Sequence, residues 1–159
     1  MSGEIPRGGR PTEEAMPLLK IAHQPPAAVP STATVMEAVQ AMAEEGVGAV
    51  AVVDDGVLRG IFTERDVMLR VVLRNRDASQ LRVGEVMTTP VETTHADAAS
   101  DEVLSFMLEH HIRHLPIVDA SGKVQGMLSI RNLLENMVED LRNELHSLDQ
   151  YLLNDGPGG

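Results

Sequence analysis

The apolar positions of this chain change period in a fixed order, and the order occurs twice. Val35, Ala38, Val39 and Met42 recur at helical spacing. Ser31, Thr32 and Thr34 precede them as a helix-start signal, and Gly46 and Gly48 follow as a stop, so a helix is predicted over 35–45. Ala49 to Val53 is an unbroken apolar run of strand length, which suits a strand buried on both faces. Asp54-Asp55-Gly56 has turn chemistry, Val57 to Phe62 reads as a second strand, and Thr63 opens a helix running to about Leu73. The order then returns: a helix over 97–110, a strand over 114–118, a turn from Asp119 to Gly122, a strand over 124–128, and a last helix opened by Ser129.

The two passages also match residue by residue. VGAVAVVDDGVLRGIFTERDVML (47–69) aligns with IRHLPIVDASGKVQGMLSIRNLLE (112–135), Val53 falling on Val118 and Gly60 on Gly126. Upstream, IAHQPPAAVPSTATV (21–35) aligns with VMTTPVETTHADAAS (86–100). Each copy spans about 55–60 residues, longer than solenoid units, so the pattern is a tandem pair rather than an array. Two copies packed face to face leave a cleft between them that is a natural ligand site. The expected organisation is a disordered Gly-, Pro- and charge-rich leader over 1–16, repeats over 17–76 and 77–138, and a helical extension with a flexible tail over 139–159.

The last helix outruns its counterpart in the first repeat. Its apolar positions at Leu134, Val138, Leu141, Leu145, Leu148 and Leu152 alternate spacings of four and three, an a/d heptad stripe. The stripe suits a homodimer seam; it also suits an amphipathic helix covering its own domain. A homodimer is the expectation carried forward.

Composition narrows the function. No apolar stretch approaches the length of a membrane span, and the N-terminus lacks the basic-then-apolar pattern of an export signal. With no cysteine, disulfides and thiol chemistry are excluded, and a cytoplasmic location is expected. A net charge of −11 argues against a nucleic-acid partner. Arg65, Arg70, Arg74, Arg76 and Arg82 nevertheless crowd one stretch, either as a solvated face or as a hold for a small anion.

The candidate chemistry sits where each second helix begins, at Thr63-Glu64-Arg65-Asp66 and Ser129-Ile130-Arg131-Asn132. A hydroxyl N-cap with a polar residue three positions on is a capping box. The same geometry presents free N–H groups and a hydroxyl to an anion, and a carboxylate one turn in can accept bonds from ribose hydroxyls. Gly60 and Gly126 would admit a ligand close to the backbone. His110, His111 and His114 straddle a predicted helix-to-strand break, which spoils them as a metal face. The chain carries no nucleophile elbow, P-loop or dinucleotide fingerprint, so no enzyme activity is expected.

A strand ending in Asp, a turn, then Gly-apolar-apolar-Thr/Ser-x-x-Asp/Asn and a helix, twice over, resembles a tandem pair of CBS (cystathionine-β-synthase) domains. His-Leu-Pro-Ile-Val-Asp (114–119), Gly-Ile-Phe-Thr-Glu-Arg-Asp (60–66) and Met-Thr-Thr-Pro-Val (87–91) carry the resemblance, which covers residues 18–138. It implies an α/β (α+β) fold of two β-α-β-β-α units about a pseudo-twofold axis, with an extended C-terminal helix. It also implies a regulatory module that binds AMP, ADP, ATP or S-adenosylmethionine and signals to an effector enzyme or transporter. The binding residues it designates are Thr63, Arg65, Asp66, Arg113, His114, Pro116, Ser129, Arg131 and Asn132. Thr63 and Asp66 with the cations Arg113 and His114 form the fuller set, so one nucleotide against Asp66 is expected. The Ser129/Asn132 cleft, with Gly48 and Ala49, has no cation at the matching positions and is expected to be empty or weak. The alternative is a ligand-independent dimeric scaffold in which Thr63 and Ser129 are only caps.

Overall fold

The computed structural model describes residues 18–154, so the leader over 1–16 and the tail over 155–159 lie outside the described residues. The first repeat forms β1 (Ala28–Val29), α2 (Val35–Glu45), β2 (Ala49–Asp54), β3 (Val57–Thr63) and α3, which is α-helical over Glu64–Asp66 and π-helical over Val67–Val72. The second forms α4 (Ser100–Glu109), β4 (His114–Val118), β5 (Val124–Ser129) and α5 (Ile130–Asn154), and a short helix α1 (Leu18–Ile21) precedes both. The order is β-α-β-β-α in the first repeat; in the second, a single parallel bridge from Thr94 to Ile117 stands where β1 would be.

Local chemistry sets the ends. Thr34 caps α2 in a reciprocal capping box with Glu37, and Gly46 closes it at φ 65°. Asp55 and Gly56 both take positive φ, so a two-residue turn joins β2 to β3 with the twist of a tight hairpin. The helix predicted over 97–110 is shorter, because Ala98 N–H bonds the carbonyl of His95 in a turn and α4 begins only at Ser100.

Each sheet packs on its own helices. Val35, Ala38, Met42, Val50, Val52 and Phe62 centre one buried cluster, and Val103, Met107, Leu115, Ile117 and Leu128 another. A third cluster of Ala49, Ala51, Ile61 and Met127 joins β2 and β3 to β5 and so fastens the repeats together.

The lead-in segments are exchanged. His23 pairs antiparallel with Met127 of the second repeat, and Thr88 pairs antiparallel with Ile61 of the first. Leu18 on α1 is fully buried in the second repeat's cluster, so the start of the described chain belongs to the far core. No helix among the described residues is long and apolar enough to cross a membrane.

Candidate functional site

Thr63 holds extended backbone and caps α3 reciprocally with Asp66. Asp66 N–H donates to Thr63 Oγ1 at 3.3 Å, while Asp66 Oδ2 accepts from Thr63 N–H at 3.0 Å and from its hydroxyl at 3.2 Å. The same carboxylate accepts from Thr88 Oγ1 at 3.1 Å and lies 3.5 Å from Arg70 Nε. Arg70 Nη1 in turn donates to the carbonyls of Val86 and Met87. The result is a clasp: Asp66, 8% exposed, is filled by groups of its own chain. Gly60 completes it, since an added Cβ would stand 2.6 Å from Met87 Sδ and 2.9 Å from the Thr88 carbonyl. That glycine admits a chain segment, where the sequence suggested a ligand.

The second repeat has the same box without the clasp. Asn132 Oδ1 accepts from Ser129 N–H at 3.2 Å and from its hydroxyl at 2.7 Å, and Asn132 N–H donates back at 3.0 Å. The position matching Arg70 is Asn136, which bonds Asp140 on its own helix. The position matching Thr88 is His23, whose ring lies 3.4 Å from Glu45. A cavity of about 880 Å³ opens here, lined from both repeats: Met42, Glu45, Gly46, Gly48, Ala49 and Glu64 on one side, and His114, Met127, Ser129, Arg131, Asn132 and Glu135 on the other, with His23 at its edge.

Of the residues designated by sequence, His114, Ser129, Arg131 and Asn132 line this cavity. Thr63 and Asp66 sit in the clasp. Arg65 and Arg113 are exposed outside the cavity, and Pro116 is buried in β4 with its carbonyl accepting from Thr94 N–H. The preference for a nucleotide at Asp66 therefore meets a carboxylate already engaged, and the open volume lies at the other cleft. His23, Glu45, Glu64 and Glu135 were not singled out by sequence; the alignment of His23 with Thr88 was the signal available for the first of them.

The lining is acidic. Glu45, Glu64 and Glu135 face Arg131 and two histidines, and Arg131 is paired with Glu135 at 2.8 Å. Glu64 and His114 meet over Gly48, where an added Cβ would lie 2.5 Å from Glu64 Oε1 and 3.1 Å from His114 Nε2. Burial holds the His114 pKa below its ordinary 6.5; Glu64 opposes the shift and Arg113 adds to it. His114 is therefore neutral at pH 7 and offers no fixed cation to a phosphate.

That depression has a sign in stability. Well above pH 6.5 the ring is neutral whether the chain is folded or unfolded. As pH falls below it, the unfolded chain takes the proton first, so stability declines toward the folded pKa. His114→Gln is expected to flatten this part of the profile, read as the difference in urea midpoint between about pH 7.5 and about pH 5.5. Equal slopes for both proteins would place the ring in solvent.

Among the described residues no cluster of three or more His, Asp or Glu is placed to hold a metal ion. Comparison with known proteins fits the two-repeat architecture. A Bacillus subtilis CBS domain-containing protein, YhcV, is 36% identical over 114 residues, covering 72% of this chain and 80% of that one. The mitochondrial CBSX3 protein of Arabidopsis thaliana is 32% identical over 124 residues, covering 75% and 60%. A Burkholderia ambifaria protein with CBS domains superposes with a TM-score of 0.72 at 34% identity, over 79% of this chain and 96% of that one. The CBS domain pair of protein MJ0100, solved with 5′-methylthioadenosine and S-adenosyl-L-methionine, gives 0.72 at 25% identity, over 79% and 98%. The CBS domain family model matches residues 19–73 and again 83–139, the two repeats in which the capping boxes at Thr63 and Ser129 lie. The chain belongs to the CBS-domain family and carries a tandem pair.

Proposed function

We propose that this CBS pair is a regulatory sensor that takes an adenosine-containing molecule in the cavity beside Asn132 and passes its occupancy to a partner protein. The observation that carries the reading is the cavity itself, built from both repeats and floored by Ser129 and Asn132. Asn132 spends its carbonyl oxygen on Ser129, which leaves its amide N–H donors for a ribose oxygen. Because the volume spans both repeats, a ligand there can favour one packing of the pair over another, and a partner enzyme or transporter reads the shift.

The lining also ranks the ligands. Three glutamates against one arginine, itself paired, disfavour a polyphosphate and favour an uncharged or cationic tail. Adenosine, methylthioadenosine and S-adenosylmethionine therefore stand above AMP, ADP and ATP. The ligands of the MJ0100 pair are of the favoured kind.

Thermal shift and calorimetry across these six compounds test the reading. A bound ligand at a hundred times its Kd should stabilise the fold by about 2.7 kcal/mol. Gly48→Val should weaken that ligand on the order of tenfold or more, since the new side chain displaces Glu64 and His114 into the cavity. Tighter binding of ATP than of S-adenosylmethionine would reverse the ranking. Silence from all six would favour the ligand-independent scaffold.

Self-association belongs to the same reading. Leu141, Leu145, Leu148 and Leu152 are 54–63% exposed on a helix that leaves its own domain, and a second copy is the simplest cover for them.

A further inference from the structure

Leu133 is the one buried residue of α5. From Val138 onward every residue of the helix is exposed, and its 25 residues extend about 37 Å. The heptad stripe sets Leu141 and Leu148 at d and Leu145 and Leu152 at a, which places Arg142 and Asp149 at e and Glu144 and Tyr151 at g. These flanking residues distinguish the two ways of pairing the helix with a second copy.

In a parallel pair each g position faces the following e position of the other helix, so Glu144 would oppose Asp149 twice. In an antiparallel pair e faces e and g faces g. Setting Leu145 against Leu148, and Leu141 against Leu152, then brings Arg142 opposite Asp149 twice, once from each helix. It also brings Glu144 opposite the phenol of Tyr151, a hydrogen-bond donor. Sliding to the longer antiparallel overlap, with Leu141 on Leu145, puts Arg142 on Arg142 and Glu144 on Glu144. A further slide in the same direction, with Val138 on Leu141, would pair Glu135 with Arg142, but Glu135 already holds Arg131 at 2.8 Å.

We propose that two copies of this chain join through an antiparallel pair of α5 helices centred between Leu145 and Leu148, locked by reciprocal Arg142–Asp149 contacts. This rests on the self-association read above and adds its direction, register and specificity. The repeats then lie at opposite ends of the paired helices, and each cavity, whose Arg131 and Glu135 sit on the first turns of α5, stays open.

The chain has no cysteine, so single cysteines report the register cleanly. Leu145→Cys and Leu148→Cys proteins, mixed and oxidised, should give a disulfide-linked dimer, because these positions face each other within bonding reach. Either alone should crosslink poorly. Efficient crosslinking of Leu145→Cys to itself would establish a parallel pair and overturn the proposal. A dimer by light scattering that forms neither crosslink would overturn it as well, by placing the interface elsewhere. A wild-type monomer at tens of micromolar would remove the self-association beneath it. Charge reversal gives a second measurement that leaves the leucines intact. Asp149→Arg should weaken the dimer roughly tenfold, and Arg142→Asp added to it should restore the affinity. A tighter dimer from Asp149→Arg alone is the parallel outcome, since it relieves the clash with Glu144.

Discussion

Alanine at Asp66 is expected to lower the unfolding free energy by about 2–4 kcal/mol, well beyond the ~1 kcal/mol of an ordinary lost helix cap. The carboxylate is the meeting point of the Thr63 N–H and hydroxyl, the Thr88 hydroxyl and the Arg70 guanidinium. Removing it leaves the half-buried Thr63 and Thr88 donors without their acceptor and releases one of the contacts that hold Arg70. The matched control is Asn132→Ala, which removes the same capping box from the second repeat but no clasp. Its expected loss is about 1 kcal/mol. Urea unfolding of both variants measures the difference, which is the contribution of the clasp. Equal losses would mean that Thr88 and Arg70 add nothing to the cap. Ligand affinity is expected to follow the other order, with Asn132→Ala the more damaging, because Asn132 lines the cavity and Asp66 does not.

Leu18→Ala is expected to cost about 2–5 kcal/mol, the range for truncating a fully buried leucine. α1 has only four residues, too few for a helix to hold on its own. Leu18 is nonetheless fully buried, in the cluster formed by Met107, Leu115, Ile117, Leu128 and Leu133 of the second repeat. Thermal and urea unfolding report the loss. A change under about 1 kcal/mol would mean that α1 is undocked in solution and that the second core closes without it.

Most of the architecture was legible because it rests on short-range rules. The β2–β3 turn follows from Asp55-Gly56, the end of α2 from Gly46, and the paired helix starts from Thr63 and Ser129. The family resemblance rested on the same residues and was right. What escaped is long-range. The bridges His23–Met127 and Ile61–Thr88 are single backbone contacts, too short to leave a periodic trace. Their consequence at the site was hidden for the same reason. Asp66 against Asn132 looks like a richer ligand set against a poorer one until Arg70 and Thr88 are seen to consume the carboxylate. The hint lay one turn further along each helix, at Arg70 and Asn136, where a long cation in one repeat is replaced by a short amide in the other. The π-helical course of α3 over Val67–Val72 left no mark in the apolar spacing.

The exchanged lead-ins also govern the order in which the chain can fold. Gly60 is covered by Met87 and Thr88, which emerge from the ribosome after the whole first repeat, and Gly126 is covered by Leu19, Ala22 and the His23 carbonyl, which emerge before it. A nascent chain that ends near residue 76 holds a first sheet still lacking its outer partner, and a first segment whose docking place has not been made. Neither half can finish early, so the two cores mature together as one cooperative unit rather than in succession. Two one-residue bridges, one from each lead-in, thus tie the repeats into a single folding event.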